Sequence, residues 1–380
     1  MSRLPNVHLP KVGSHLELSL PSEHVFQLVL NRPAQLNTMT DALEADLCLA
    51  LAFFDSHPAL RVAIIAGRGK AFCAGQDLKD WLKQQGEQPS PQSHVSKTSD
   101  GLPLEPLASV AHKIDKLKAG GFGGLSSRRS VKPIIAAVDG ICMGGGTEII
   151  LNCDLVVAST RSVFALPEAA RGVIASQGGI ARLARICGHQ RAAEMLLLCE
   201  PISAEQAYHS FHFINRLLPL PPPSPKPASS SSTSSSATDA TTSMSWEAGE
   251  AAILRLALVL ARKIASHSPD AVQLTKAGLV AARGSAPPLA LGPNDPLAED
   301  GTEKLSCHVD EFQEDDVDLL AVKLYRSRRS RALYAGENIQ EGLKAFKEKR
   351  QPAWKDVALI DDGSTPPGWE RAKGTPDSKL

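Results

Sequence analysis

Glu148 and Glu168 are the residues whose type and surroundings most plainly allow proton-transfer chemistry. Glu148 closes the stretch Asp139-Gly-Ile-Cys-Met-Gly-Gly-Gly-Thr-Glu148 and runs into Ile-Ile-Leu-Asn-Cys-Asp, while Glu168 follows Val163-Phe-Ala-Leu-Pro167. A lone glutamate is ordinarily a solvated surface residue, but neither of these neighbourhoods reads as an exposed face. Three consecutive glycines, 144–146, remove every Cβ from one side of a turn at a helix start. A ligand can then approach backbone N–H groups closely, where the helix dipole favours negative charge. A phosphate and the oxygen of an enolate both suit such a site. The triplet supplies neither the dinucleotide fingerprint nor the phosphate-binding loop, because it is followed by Thr147-Glu148. An acidic first turn opposes a phosphate and suits proton transfer. The structural alternative is that the glycines serve only close helix–sheet packing. A second glycine-containing turn, Gly67-Arg-Gly-Lys-Ala-Phe-Cys-Ala-Gly-Gln-Asp-Leu-Lys79, also follows an apolar run.

The frame that must hold these turns reads as alternating strands and helices. Val25–Leu30 is a short strand, and Thr40-Asp41 caps a helix whose apolar positions Leu43, Leu47, Ala50, Leu51 and Phe54 recur at helical spacing. Val62–Ala66, Ile134–Val138 and Leu155–Ala158 are continuously apolar strands, with a helix between the last two. This pattern predicts an α/β fold with a mostly parallel sheet covered on both faces. Helices are expected at 181–187, 190–198, 204–210, 251–266 and 338–349, so the C-terminal third should pack as helices against the α/β core. Three stretches break the pattern: a Gln/Pro/Ser-rich one at 84–104, a Pro- then Ser/Thr/Ala-rich one at 219–246, and a Pro-rich then acidic one at 284–316. They read as insertions in one fold. The resulting organisation is a core over 15–218, an insertion over 219–246, a helical region over 247–355 containing the 284–316 loop, and a tail over 356–380.

Composition narrows the function classes. The chain of 380 residues has 43% hydrophobic residues and equal numbers, 41 each, of Lys+Arg and Asp+Glu. It therefore lacks the basic excess expected of a nucleic-acid binder, and its basic clusters, Arg128-Arg129 and Arg326–Arg331, read as solvated faces. The seven cysteines have no CxxC spacing, which argues against a disulfide framework or a zinc site and for a reducing compartment. None of the eleven histidines has a motif partner, so no metal is expected. No signal peptide and no membrane span are expected, since no apolar run of about eighteen residues exists. The final Ser378-Lys379-Leu380 matches the address read by the peroxisomal import receptor, and the Pro-, Gly- and charge-rich 361–377 should present it. The expected location is the peroxisome.

Several blocks taken together resemble the enoyl-CoA hydratase/isomerase, or crotonase, superfamily. They are NRPAQLNTM at 31–39, AFCAGQDLKDW at 71–81, KPIIAAVDGICMGGGTEIILNCDLVVAS at 132–159 and FALPEAARGVIASQGGIARLARICG at 164–188, with SPDAVQLTK at 268–276 and ENIQEGLKAFKEKRQP at 337–352. The resemblance spans most of 20–355. It implies a crotonase (ClpP-like) spiral of ββα units with a helical C-terminal region, assembled as homotrimers that often pair into hexamers.

The resemblance also implies roles for individual residues. The backbone N–H groups of Gln76 and Gly145 would form the oxyanion hole that holds the thioester oxygen. Ala74, Gln76, Asp77, Leu78, Lys79 and Gly145 would contact coenzyme A, which enters as part of the substrate, so no separate cofactor is expected. Glu148 and Glu168 would be the catalytic pair. Water must lose a proton as it attacks C3 while C2 gains one, so two proton-transfer groups must flank one small site. Burial and like charge would push their pKa values apart. The implied activity is that of an enoyl-CoA hydratase or 3-hydroxyacyl-CoA dehydratase. It would serve fatty-acid β-oxidation or make an unsaturated acyl group for a secondary metabolite such as a siderophore. A Δ3-Δ2-enoyl-CoA isomerase and a non-catalytic binding scaffold are the alternatives. Two departures bear on the acyl group: Ala175-Ser176-Gln177 stands where many relatives have Ala/Pro-Gly-Ala, and the glycine-rich 116–131 forms a lid or a plain loop.

Overall fold

A computed structural model describes residues 7–77, 120–223, 244–282 and 333–357. Leu78, Lys79, the 84–104 and 284–316 stretches, most of 219–246 and the Ser378–Leu380 tripeptide lie outside the described residues. The chain divides into two units, one ending at Ser266 and the other starting at His267.

The first unit is built on a six-stranded sheet. Its strands, with the chain-order labels used below, are β1 (Leu16–Ser22), β2 (Val25–Leu30), β3 (Val62–Gly67), β5 (Ile134–Val138), β7 (Leu155–Ser159) and β10 (Arg216–Leu218), adjacent in that order. β2 through β10 run parallel, and β1 joins the edge antiparallel through a tight turn. The unbroken apolar sequence of β3 follows from its period of two. Ala63 and Ile65 face one apolar cluster, and Val62, Ile64 and Ala66 face another.

Helix α1 (Asp41–Ser56) contributes Leu43, Leu47, Ala50, Leu51 and Phe54 to the first cluster. It starts where the Thr40 side chain accepts from Leu43 N–H at 3.3 Å. The long helix Trp246–Ala265 covers the opposite face with Ile253, Ala257, Ala261 and Ala265. Alanines four residues apart form a smooth stripe that lets the helix lie close to the sheet. This helix, which the sequence groups with the C-terminal region, thus packs within the first unit. The ends of the 219–246 insertion meet in a bridge between Pro223 and Met244, so the segment leaves and returns at one point.

After each of β3, β5 and β7 the chain makes a short turn into a three-residue strand: β4 (Ala71–Cys73), β6 (Ile141–Met143) and β8 (Val163–Ala165). These pair in parallel and, with β9 (Ile202–Ser203) antiparallel at the edge, form a second sheet of order β4-β6-β8-β9. This repetition is the expected ββα spiral. The first unit also contains α2 (Gly145–Asn152), α3 (Gly179–Cys187), α4 (His189–Leu198) and α5 (Ala204–His209), after which Trp246–Ala265 is α6. The second unit contains α7 (Pro269–Ala282) and α8 (Glu337–Glu348). Within it the Asn338 side chain ties α8 to residue 355 through two backbone hydrogen bonds of 2.8 and 3.0 Å.

Candidate active site

The glycine triplet packs closely and sets the start of α2. Gly144 has φ +55°, a left-handed turn that releases the chain from β6 into α2. A Cβ on Gly145 would fall 2.5 Å from the Phe122 ring, and one on Gly146 would fall 2.3 Å from the Cys73 carbonyl oxygen. Close packing therefore accounts for two of the three glycines. It also fixes the helix start: the Thr147 hydroxyl sits 2.9 Å from the carbonyl oxygens of both Cys142 and Ala165. The N–H of Gly145, the first in α2, has no acceptor within the helix.

The β4 turn supplies the second N–H. Met39 N–H donates to Gly75 O at 2.8 Å, and Asp77 N–H donates to Met39 O at 2.9 Å. In a parallel bridge of this kind the intervening Gln76 turns its own N–H away from Met39. A Cβ on Gly75 would lie 3.2 Å from Met143 O and 3.7 Å from Gly145 N, so the turn sits directly against the start of α2. The Gln76 side chain donates to Met39 O at 3.2 Å, and the Asp77 carboxylate accepts from Arg32 at 3.1 Å and from the Thr38 hydroxyl at 3.2 Å. Those side chains brace the turn. Ala74 is half-buried and donates its N–H to Leu36 O at 3.0 Å.

Both carboxyl groups converge on this point. Glu148, one turn into α2, is only 3% exposed. Its Oε1 accepts from Gly179 N–H at 3.0 Å, and a Cβ on Gly179 would come just 3.0 Å from that oxygen. Burial pushes the Glu148 carboxyl up to about 7, and the charge of Glu168 adds to the rise. The N–H groups of Gly179 and Gln177 and the guanidinium of Arg182 pull the other way. Glu168 leaves β8 on the turn before α3, and its carboxyl is also raised, mainly by burial. Its Oε1 lies against Gly144, where a Cβ would sit 3.1 Å away, and its Oε2 is buried with no hydrogen-bond partner. Two raised carboxyls, with the charge of Glu168 felt at Glu148, therefore lie beside the Gln76 and Gly145 N–H groups. Such a pair can hold one proton and pass another, and its titration belongs to the pair.

Three contributors escape sequence reasoning. Phe122 lies in the glycine-rich stretch expected to be a lid or a loop, yet Gly120–Leu125 is buried and packs against α1 and α2. Ser126 Oγ accepts from Phe122 N–H at 2.8 Å, so the described part is a wall of the core. Its only sequence signal is one aromatic residue amid four glycines. Gly179 appeared only as half of a glycine pair, and Gln177 only as a departure. The Gln177 carbonyl accepts from Ser127 Oγ and from Arg182 Nη1, both at 3.3 Å. Among the described residues there is no cluster of three or more His, Cys, Asp or Glu that could hold a metal ion, and no helix long and apolar enough to cross a membrane.

The family model described as "Enoyl-CoA hydratase/isomerase" matches residues 21–123 and 125–219. The mevalonyl-coenzyme A hydratase of Beauveria bassiana is 34% identical over 350 residues, which cover 92% of this chain and 98% of that protein. The mevalonyl-coenzyme A hydratase of Aspergillus fumigatus is 34% identical over 342 residues, covering 90% and 95%. The crystal structure of an enoyl-CoA hydratase from Bacillus anthracis superposes with a TM-score of 0.62 at 24% identity, over 90% of this chain and 100% of that one, a likeness of fold.

Proposed function

The chain belongs to the enoyl-CoA hydratase/isomerase family, and from that premise we propose that it adds or removes water across C2–C3 of an acyl-CoA thioester, with a branched 3-hydroxyacyl group such as mevalonyl as its substrate. The observation that carries the reaction type is the pair of buried carboxyls, one with an unsatisfied oxygen, beside the free Gly145 N–H. In the dehydrating direction the thioester oxygen rests on the Gln76 and Gly145 N–H groups and takes on negative charge as the C2 proton leaves for one carboxylate. Preorganised donors of this kind are worth roughly 3 kcal/mol each. The other carboxyl gives its proton to the C3 hydroxyl, the C3–O bond breaks, and C2=C3 forms as water departs. No oxidant or reductant is needed. The unpartnered Oε2 of Glu168 suits the reacting hydroxyl or water, and Glu148, held by Gly179, completes the exchange.

The acyl group is supported by the two mevalonyl-CoA relatives, whose alignments cover nearly the whole chain. Of the two settings implied by the sequence, a branched hydroxylated acyl group suits the making of an unsaturated unit for a secondary metabolite, such as a siderophore, better than β-oxidation. Purified protein incubated with mevalonyl-CoA should release a product lighter by one water. Turnover of a 3-enoyl-CoA without any gain or loss of water on 2-enoyl- or 3-hydroxyacyl-CoA would move the assignment to an isomerase.

Assembly as a homotrimer or hexamer is part of the same reading. Ile174, Ile180, Leu197 and Leu198 are exposed apolar residues on α3, α4 and the turn before them, a surface that copies of the chain would cover. Sedimentation of the intact protein at a monomer mass would remove that part.

A further inference from the structure

We infer that Gln177 sets the acyl specificity of this site, its carboxamide receiving a hydroxyl that the acyl chain carries beyond C3. The inference rests on the hydratase reading and goes further, because it names the residue that selects the substrate.

The backbone of Gln177 is fastened beside Glu148. Its N–H supports Glu148, and its carbonyl oxygen is held by Ser127 on the buried wall and by Arg182 on α3. The residue cannot swing away without loosening these contacts. At the end of the side chain, Oε1 is buried and has no hydrogen-bond partner. Buried side-chain acceptors are nearly always paired in folded proteins, and one left empty marks a site that something else completes.

The Gly179 N–H goes to Glu148, Arg182 and Ser127 reach the Gln177 carbonyl, and Gly178 has no side chain. Only one other orphaned acceptor lies in this site among the described residues, Glu168 Oε2, and the reacting C3 hydroxyl or water answers it. The second empty acceptor therefore calls for a second donor elsewhere on the acyl group. A hydroxyl suits it best, since it satisfies a carboxamide through either of that group's polar atoms. A plain alkyl chain leaves Oε1 unpaired, a loss of roughly ten- to hundredfold in relative reactivity. Mevalonyl, with a C5 hydroxyl besides the one at C3, has the required donor.

The test is a competition in one vessel between mevalonyl-CoA and its 5-deoxy counterpart, 3-hydroxy-3-methylpentanoyl-CoA, with both dehydration products followed by mass. The ratio of the two kcat/KM values is independent of how much of the enzyme is folded, so it reads specificity alone. Wild type should favour the dihydroxy substrate by about tenfold or more. Gln177→Met, which keeps the length without the acceptor, and Gln177→Ala should each bring the ratio to within about twofold of unity. A wild-type ratio already near unity, or an unchanged preference in both variants, overturns the assignment while leaving the hydratase reading intact. Dehydration of neither thioester by wild type overturns that reading, and the role of Gln177 falls with it.

Discussion

Two segments carry the candidate site, and they are built in opposite ways. The run from β5 through β6 into α2 is buried almost residue by residue, from Ile134 to Leu151, with only Ile141, Met143 and Gly144 partly accessible. The run from β8 to α3 carries Glu168, Gln177 and Gly179 on a turn whose residues 169–174 are all exposed. The first segment is locked by packing: Phe122 against Gly145, Cys73 against Gly146 and Thr147 between two carbonyls. The second is tied down by a few polar contacts, chiefly Gly179 and Gln177 to Glu148 and Ser127 and Arg182 to Gln177. A donor that must meet a developing charge tolerates little displacement, and it sits in the rigid run. Glu168 and Gln177 sit in the run with the exposed turn.

The sharpest way to probe this contrast is to remove one proton-transfer group from the exposed run. Glu168→Gln should lower kcat by roughly 10²- to 10⁴-fold with little change in thioester binding, measured by steady-state dehydration and by titration with a substrate analogue. An unchanged rate would place the proton transfers elsewhere and break the comparison.

Disturbing the packed run comes next. The Cβ of Gly145→Ala would collide with the Phe122 ring, so the N–H must shift and kcat should fall by about 10²- to 10³-fold. Adding Phe122→Ala should restore part of that loss, because it opens the space the new methyl needs. If the double variant is no faster than the single one, packing against Phe122 does not set the donor's position.

The smallest effect concerns stability. The unfolded Glu148 carboxyl has the ordinary value of 4.5, and the folded one is raised to about 7. The native state therefore holds the proton more tightly between those values. Its contribution to stability is greatest below about pH 4.5 and declines as pH rises towards 7. Glu148→Gln, which stays neutral, should leave stability nearly unchanged at pH 4.5. At pH 8 it should raise stability by on the order of 3 kcal/mol at most. Denaturant unfolding at the two pH values checks the sign. A variant less stable at pH 8 would mean that the charged carboxylate is favoured in the folded site.

Much of this molecule is legible in order along the chain. β2, β3, β5 and β7 show as apolar runs because both faces of the sheet are covered, and α1 shows through its cap and five core positions. The glycine triplet and Glu148 stand together because a helix start, a close approach and an acid in the first turn are all local features. The three-residue strands β4, β6 and β8 are too short for any periodicity to mark them. Edge strand β10 takes its place only through pairing with the distant β7.

The sequence by itself thus determined the α/β frame, the glycine turns and which glutamates to suspect, because those depend on neighbours a few residues away. Only the tertiary structure decided that Phe122 packs against Gly145, that Gly179 holds Glu148 from 31 residues away, and that Gln177 presents an acceptor nothing in the protein satisfies. The burial and pairing of a polar group depend on whichever segments folding brings beside it, and no local pattern of residues records that.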